Sequence, residues 1–413
     1  MTTLDRVALF TNEYPPNVYG GAGVHVEYLS RELAREVPVE VRCFGDQDIR
    51  EPGLRVRGYP AWAQAGEDTD PRFKGALDAF HRDLAMARDR LDASVVHCHT
   101  WYTSMAGFVA RQLWDVPLVV TTHSLEPLRP WKAEQLGNGY RLSSWMEATT
   151  LESADAVIAV SKETREDVLR LFHIPPERVH VIHNGIDLEE YHRVSATDAL
   201  ERRGIDPSKP YLLFVGRITW QKGIFHLLDA VPRLDPRLQV VFDSSTADTP
   251  EIHRQMAERV AEVSARREGV VWIQEMVPRD ELIQLYSHAA VFVCPSVYEP
   301  FGIINLEAMA CETAVVASKV GGIPEVVVDG ETGVLVDPRL RPGTWEPENP
   351  AVFARDLARA IDRVALDPEL RARFGRNGRR RVEEHFSWRA IALQTLDLYR
   401  SLVTGTARQE VAA

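Results

Sequence analysis

Two glutamates, Glu299 and Glu307, lie eight residues apart, the first in a loop after an apolar strand and the second two turns into a predicted helix. The helix begins near Gly302, so its free N–H groups point towards the same space as Glu299. These amides can bind an anion beside a carboxylate that accepts sugar hydroxyls, and Glu307 can accept a pair of ribose hydroxyls. A solvated glutamate at each position is an equally valid interpretation of the spacing alone.

Two cations, Arg217 and Lys222, follow the predicted strand Tyr211–Gly216. A diphosphate leaving group gains negative charge as a glycosidic bond breaks, so two fixed cations would stabilise the transition state more than the ground state. One close charge pair near a protein surface contributes roughly a few kcal/mol at an effective dielectric constant of about 20. Two solvated charges in a loop are the alternative interpretation.

Glycines and a histidine follow predicted strands in the first half of the chain. Gly20 and Gly21 lie between the first strand and a helix, where backbone amides can approach a phosphate. His123 ends the predicted strand Leu118–His123, and ligands bind at the carboxyl ends of parallel strands. Both features also have a structural explanation, because tight turns use glycine for steric reasons and a lone histidine at a strand end is more often structural.

The elements that position these residues are short β-branched runs alternating with amphipathic helical patterns. This alternation predicts parallel sheets covered on both faces. The predicted strands of the first half are Val7–Thr11, Val39–Phe44, Val95–His99, Leu118–His123, Ala156–Ser161 and Val179–His183. Those of the second half are Tyr211–Gly216, Gln239–Asp243, Val270–Gln274, Ala290–Pro295, Ala314–Ser318 and Gly333–Val336. The predicted fold class is therefore α/β, with two doubly wound Rossmann-like domains.

The domain boundaries follow from a turn-rich stretch, residues 188–210, which has no strand pattern. We predict a first domain over residues 1–190 and a second over residues 191–386, with an interdomain cleft. Residues 387–413 carry a long helical pattern and are predicted to cross back to the first domain.

Composition and charge exclude several classes of function. The chain has 413 residues and a net charge of −12, which argues against non-specific binding to nucleic acid or to an anionic membrane. Its four cysteines are scattered singly, so neither structural zinc nor a disulfide framework is expected. The first apolar run has only four residues, too few for a signal peptide. A cytoplasmic protein is expected, and homo-oligomerisation is left open.

The segment SVYEPFGIINLEAMA, residues 296–310, resembles the E-x7-E signature of retaining glycosyltransferases of family 4, which have the GT-B fold. The opening TNEYPPNVYGGAGVHVEYLSREL resembles that family's glycine loop, and TTHSLEPLRPWK, HNGID and GRITWQKG follow in the expected order. The resemblance therefore covers nearly the whole chain. It is strongest to the actinobacterial-type glycogen synthases and α-maltose-1-phosphate synthases.

The resemblance implies a glucosyltransferase that uses ADP-glucose or UDP-glucose and retains the anomeric configuration. The catalytic residues that it implies are His123, Arg217, Lys222 and Glu299. The donor-binding residues that it implies are Gly20, Gly21, Val277, Phe301, Gly302, Ile303 and Glu307. The candidates for acceptor binding, which lie at or after the ends of the predicted strands, are His99, Trp101, Ser124, Lys132 and Arg141. No metal or other cofactor is expected, because the cations already offset the diphosphate charge.

Several alternatives stay open. The acceptor is glucose-1-phosphate if Arg129, Lys132 and Arg141 bind a phosphate, or a glucan if tryptophans provide stacking surfaces. The stretch 241–250 departs from the family, since Ser245 replaces a glycine and Asp243 adds a charge. A nucleotide-sugar epimerase of the same fold and a catalytically silent nucleotide-sugar binder are therefore the alternative functions.

Overall fold

A computed structural model describes residues 4–18, 20–61, 70–133 and 137–412, without the side chains of residues 71 and 406–412. The chain divides into two compact units. The first comprises Met1–Gly185 and Trp388–Ala413, and the second comprises Ile186–Ser387.

The first unit is built on an eight-stranded sheet with the strand order β3-β4-β2-β1-β5-β6-β7-β8. The strands are β1 (Val7–Thr11), β2 (Val39–Phe44), β3 (Asp48–Glu51), β4 (Leu54–Tyr59), β5 (Val95–His99), β6 (Leu118–Thr122), β7 (Ala156–Ala159) and β8 (Val179–Val181). Every pairing is parallel except that of β3 with β4. Strands β1, β5 and β6 are buried along their whole length, as expected for parallel strands covered on both faces.

The helices of the first unit cover both faces of this sheet. They are α1 (Gly21–Leu33), α2 (Pro71–Arg88), α3 (Ser104–Trp114), α4 (Gly139–Ser153) and α5 (Lys162–Leu171), together with the last helix of the chain, α14 (Trp388–Ala412). Helix α14 packs against α1. Its residues Ile391, Leu396 and Tyr399 are buried in the same apolar cluster as Val7 and Leu9 of β1. The C-terminal helix therefore completes the core of the first unit.

The second unit contains a six-stranded, all-parallel sheet with the order β11-β10-β9-β12-β13-β14. Its strands are β9 (Tyr211–Val215), β10 (Gln239–Asp243), β11 (Val270–Ile273), β12 (Val291–Cys294), β13 (Val315–Ser318) and β14 (Gly333–Val336). Its helices are α6 (Asp198–Arg202), α7 (Ile224–Ala230), α8 (Pro250–Ser264), α9 (Arg279–His288), α10 (Ile303–Ala310), α11 (Ile323–Val326), α12 (Pro350–Ala365) and α13 (Pro368–His385).

Both strand orders confirm the predicted fold class, two parallel-sheet Rossmann-like α/β domains. The order reverses beside β1 in the first unit and beside β9 in the second, and such switch points are where ligands bind in open sheets of this kind. All four cysteines are buried and free. Among the helices that the structure describes, none is both long and apolar enough to cross a membrane.

Candidate active site

At the switch point of the first unit, the neighbouring strands β5 and β6 bring two predicted residues together. His99 is the last residue of β5, and His123 directly follows β6. Nδ1 of His99 lies 3.1 Å from Nε2 of His123, within hydrogen-bonding distance. A third histidine, His25 of α1, is buried beside them, with its ring centroid 4.7 Å from that of His123. The sequence analysis did not single out His25, because only the fold brings α1 to these strands.

Burial lowers the pKa of each of these three histidines. Burial lowers the pKa of His25 to about 4, and the hydrogen bond that its Nδ1 donates to Oδ1 of Asn184 partly opposes the shift. For His99 and His123 desolvation also lowers the pKa well below the usual value, and the neighbouring histidines lower it further. Neutral imidazoles both donate and accept hydrogen bonds at pH 7, so the cluster suits uncharged sugar hydroxyls.

The backbone directly after His99 is strained, and two side-chain hydrogen bonds hold it in this conformation. Thr100 has a φ of 66°, which is rare for a β-branched residue. Its hydroxyl donates a hydrogen bond to Oδ1 of Asn12 (2.9 Å). The hydroxyl of Thr103 donates to the carbonyl oxygen of His99 (2.9 Å). Strain of this kind persists where surrounding contacts hold it, and it occurs preferentially at functional sites.

His97 lies two residues before His99 on β5 and has different partners. Nδ1 of His97 is 2.5 Å from the hydroxyl of Tyr399, and Nε2 is 2.7 Å from the hydroxyl of Thr121. Both ring nitrogens are therefore engaged inside the core. His97 is a structural residue that ties helix α14 to the sheet.

The glycine loop before α1 is closed by a carboxylate. The amide of Gly20 donates a hydrogen bond to Oε2 of Glu13 (2.7 Å), and Gly21 is exposed at the first position of α1. A Cβ atom at position 23 would lie 2.8 Å from the side chain of Glu13, so the close packing of Glu13 on α1 requires glycine at this position. A Cβ atom at position 20 would meet no atom within 4 Å. Glu13 thus occupies the position of an anion at the start of this helix.

The acceptor-side candidates of the first unit fall into two groups. Lys132 is buried, and its ammonium group donates to the hydroxyl of Tyr102 (3.4 Å). The Arg129 guanidinium donates to the hydroxyl of Ser124 (3.0 Å). Arg141, by contrast, is exposed on α4. Trp101 is buried and stacks on Tyr102 at 4.0 Å between ring centroids, so much of its surface is covered.

Two buried carboxylates, Glu126 and Glu147, accompany these cations and were missed by the sequence analysis. Oε2 of Glu147 accepts a hydrogen bond from the amide of Glu126 (2.8 Å). Burial first, and then the charge of Glu126, raise the pKa of Glu147 well above its usual value. Oε2 of Glu126 accepts from the hydroxyl of Ser143 (2.8 Å), and Glu126 lies 3.9 Å from Arg129. These glutamates are too far apart in sequence for any local pattern to have paired them.

In the second unit, Lys222 and Glu299 form an ion pair of 2.7 Å, and both side chains are largely buried. The hydroxyl of Ser296 donates a second hydrogen bond to Glu299 (3.1 Å). The turn after Lys222 requires Gly223, whose φ is 65° and whose Cβ would lie 1.9 Å from the carbonyl oxygen of Pro295. The structure therefore brings together two predicted catalytic residues that are 77 positions apart in sequence.

Arg217 pairs with Asp248 at 2.8 Å, in the loop that departs from the family pattern. This loop packs directly on the segment that carries the arginine. The amide of Gly216 donates to the carbonyl of Asp243 (3.1 Å), and the hydroxyl of Ser244 donates back to the carbonyl of Gly216 (2.6 Å). The altered loop thus positions Arg217.

Glu307 lies in α10 and is held by two tyrosines. Its Oε2 accepts from the hydroxyl of Tyr286 (2.8 Å), and its Oε1 accepts from that of Tyr191 (3.4 Å). Burial raises the pKa of Glu307, and the Tyr286 hydrogen bond opposes that shift. Asp243, at the end of β10, has its pKa raised to about 7, mainly by burial, with Glu275 and Glu307 adding to the effect.

Glycines shape the loop around Glu299. Gly302 has a φ of 92° and is the N-cap of α10, as predicted for the start of that helix. Gly321 has a φ of 56°, and a Cβ there would lie 1.9 Å from the carbonyl oxygen of Glu299. The amide of Gly322 donates to the same carbonyl (3.0 Å). Glycine at position 321 is therefore a steric requirement of the Glu299 loop.

The remaining donor-side candidates differ in exposure. Phe301 is buried, with its ring 6.0 Å from that of Phe386. Ile303 and Val277 are half-buried, and Val277 follows the exposed Met276. Donor binding by these residues stays a prediction.

Comparisons with known proteins identify the family of this chain. The family profile "Glycosyltransferase Family 4" matches residues 19–190, and "Glycosyl transferases group 1" matches residues 196–381. An alpha-maltose-1-phosphate synthase of Mycolicibacterium smegmatis is 47% identical over 404 residues, covering 96% of this chain and 99% of that protein. The alpha-maltose-1-phosphate synthase of Mycobacterium tuberculosis is 48% identical over 401 residues, with the same coverage.

Among solved structures, a sucrose-phosphate synthase from Thermosynechococcus elongatus superposes with a TM-score of 0.79 at 28% identity. The match covers 97% of this chain and all of that one. The resemblance read from the motifs is thus confirmed along almost the full length. The chain belongs to the family 4 glycosyltransferases of GT-B fold.

Proposed function

We propose that this glycosyltransferase transfers glucose from ADP-glucose or UDP-glucose to glucose-1-phosphate, forming maltose-1-phosphate with retention at the anomeric carbon. The observation that carries the proposal is the near full-length similarity to two alpha-maltose-1-phosphate synthases, at 47% and 48% identity. The disposition of the charged side chains supports it.

The second unit supplies the groups that the donor needs. Lys222 and Arg217 are each oriented by a carboxylate, so they can bind the diphosphate without first being ordered. As the glycosidic bond breaks, charge develops on the leaving phosphate, and fixed cations lower the barrier most at that point. Glu307, held by its two tyrosines, accepts the ribose hydroxyls.

The reaction that we propose at the anomeric carbon is attack from the same face as the leaving group, within an ion pair. The leaving phosphate oxygen takes the proton of the acceptor hydroxyl, the new glycosidic bond forms and the nucleoside diphosphate departs. A double displacement would instead need a carboxylate nucleophile on the opposite face of the sugar. The carboxylates of the second unit already have other partners, since Glu299 is paired with Lys222 and Glu307 with tyrosine hydroxyls.

A phosphorylated acceptor fits the first unit better than a glucan chain. Lys132 and Arg129 lie in the segment after His123 and offer positive charge for a phosphate. Trp101 is buried against Tyr102, so its ring does not provide the open face on which a glucan would stack. The exposed Trp145 of α4 retains such a face, which keeps a glucan as the second candidate acceptor.

A product assay tests this proposal. The protein is incubated with ADP-glucose or UDP-glucose, each with glucose-1-phosphate, with glycogen or with buffer alone. We expect a disaccharide phosphate from the reactions that contain glucose-1-phosphate. Extension of glycogen alone would show that the acceptor is a glucan and not glucose-1-phosphate. Conversion of the donor without any acceptor would indicate an epimerase. Nucleotide binding without turnover would indicate a silent binder.

The variant Lys222→Gln sharpens the assay. It removes the charge opposite Glu299, and kcat/KM should fall by about 10²–10³, the usual effect of removing one transition-state donor. Lys209→Gln is the matched control, because Lys209 is an exposed lysine of the same unit, and its activity should equal that of the wild type. Equal activity of the two variants would refute the role assigned to Lys222.

A further inference from the structure

Three histidines of the first unit form a cluster whose side chains are of the type that binds a transition metal. His25, His99 and His123 each place one ring nitrogen within 4.8 Å of the other two. They come from three separate elements, helix α1 and the ends of strands β5 and β6. His25 and His99 are buried, whereas His123 is partly accessible, so a small solute can reach the cluster from that side.

His25 has the hydrogen-bonding pattern of a metal ligand. Its Nδ1 is 2.6 Å from Oδ1 of Asn184, an atom that only accepts, so the ring proton resides on Nδ1. Its Nε2 then carries a lone pair, and it is buried with no hydrogen-bond partner in the part of the chain that the structure describes. Metal-binding histidines almost always donate their second nitrogen to an oxygen in this manner.

His99 faces His123 through Nδ1, and this nitrogen is the one placed to bind the ion. Its Nε2 is buried without a hydrogen-bond partner among the described residues, but the two nitrogens of one imidazole point apart, so this atom is not a ligand of the same ion. The orphaned atom that points to a ligand is Nε2 of His25, because such atoms are rare in protein interiors and call for an explanation such as a bound ion. His97 is the internal contrast, because both of its nitrogens are bonded to hydroxyls.

The chemistry of the cluster selects the class of ion. Three imidazoles without a carboxylate favour zinc and neighbouring transition metals over magnesium or calcium, which prefer oxygen ligands. Zinc holds imidazole nitrogens at about 2.0–2.1 Å, so ligands of a tetrahedral site lie about 3.4 Å apart. Nδ1 of His99 and Nε2 of His123 already meet this spacing at 3.1 Å, and the ligand nitrogens of all three histidines lie within 4.8 Å of one another.

We propose that His25, His99 and His123 bind one divalent transition-metal ion of the zinc type, which inhibits the enzyme reversibly. The inhibition follows because the ion occupies ring nitrogens that would otherwise bond to sugar hydroxyls. The ion is therefore an inhibitor that competes with a sugar, and not a cofactor of the transfer. Metal binding is independent of the proposed function, whereas inhibition of glucose transfer rests on it.

The first experiment measures binding without any substrate. Chelator-treated full-length protein is titrated with Zn²⁺ by calorimetry and with Co²⁺ by visible absorption, whose intensity reports four-coordinate geometry. One ion per chain with a dissociation constant in the micromolar range or tighter is expected. Binding only at millimolar metal would overturn the proposal.

Variants locate the site. His25→Gln and Asn184→Ala should each weaken Zn²⁺ binding at least tenfold, the second because it frees the ring that it orients. His173→Gln, a substitution at an exposed histidine of the same unit, should leave the affinity unchanged. Unchanged affinity in His25→Gln would contradict the assignment.

X-ray absorption spectroscopy of the zinc-loaded wild-type protein tests the site without any substitution, so a variant that fails to fold cannot affect the result. Three imidazole nitrogens in the zinc shell support the site, and any smaller number refutes it. Failure of this test leaves the transferase assay unaffected, and a failed transferase assay leaves these binding results interpretable.

Discussion

The buried carboxyl group of Asp243 makes a quantitative prediction about stability and pH. Its pKa is raised from 3.8 to about 7, mainly by burial. The folded protein therefore holds a proton that the unfolded chain releases between these two pH values, and stability is lost as the pH rises from about 4 to about 7. Asp243→Asn removes this titration while keeping the shape of the side chain, so the variant should be more stable than the wild type at neutral pH.

The magnitude follows from the shift. Each pKa unit corresponds to about 1.4 kcal/mol, so the gain approaches an upper limit of about 4 kcal/mol above pH 7. At pH 5 the same relation gives about 2 kcal/mol, and below pH 4 the gain vanishes. For a domain of this size, 1 kcal/mol corresponds to a shift in melting temperature of about 2–4 °C. The variant should therefore melt above the wild type at pH 8, by up to about 8–16 °C.

The assay is thermal unfolding of the wild type and the variant at pH 4, 5, 6, 7 and 8. The melting temperatures of the two proteins are compared at each pH, so the contribution of titrating groups distant from position 243 cancels. Asp46→Asn, at an exposed loop aspartate, is the matched control and should show no pH-dependent difference. A difference that stays constant over this range, or that shrinks as the pH rises, would refute the reasoning.

Two further predictions concern the Glu299 loop and the tyrosines beside Glu307. Gly321→Ala should destabilise the protein by more than about 3 kcal/mol, because its Cβ would lie 1.9 Å from a backbone carbonyl oxygen, and chemical denaturation measures the loss. Gly330→Ala also has a positive φ but open space around its Cβ, so it should cost only about 1–2 kcal/mol; equal losses would contradict the steric argument. Tyr286→Phe should weaken ADP binding in calorimetry about tenfold, or about 1.4 kcal/mol, because Glu307 loses the hydrogen bond that orients it. Tyr211→Phe removes an equally buried hydroxyl that bonds to a carbonyl instead, and ADP affinity should be retained; a similar loss in both variants would show that the effect is only structural.

The strands were predictable where burial on both faces leaves an apolar signature. The runs that form β1, β5 and β9 are continuous and β-branched or aromatic, and the structure has strands there. Strands β3 and β4 were missed because the edge strand β3 is mostly charged and exposed, and β4 beside it alternates arginines with apolar residues.

The candidate site was predictable only in part, for a related reason. Residues that lie at strand ends, such as His99 and Lys222, can be located from local pattern and from topology. Glu13, His25 and Asn184 could not be located in this way, because their contacts depend on how the loop, helix α1 and the end of the sheet meet. The burial of Trp101 likewise depends on its stacking with Tyr102, which no spacing rule reveals.

The last helix has a consequence for how this chain is made. Trp388 of α14 stacks on Tyr28 and contacts the edge of the His25 ring, and Tyr399 bonds to His97. A ribosome releases these residues only after the whole second unit has been synthesised, and domains tend to fold as they emerge. The second unit can therefore fold before α14 is available to complete the core of the first unit. The three histidines are therefore synthesised early, but the helix that packs beside His25 follows only after the second unit.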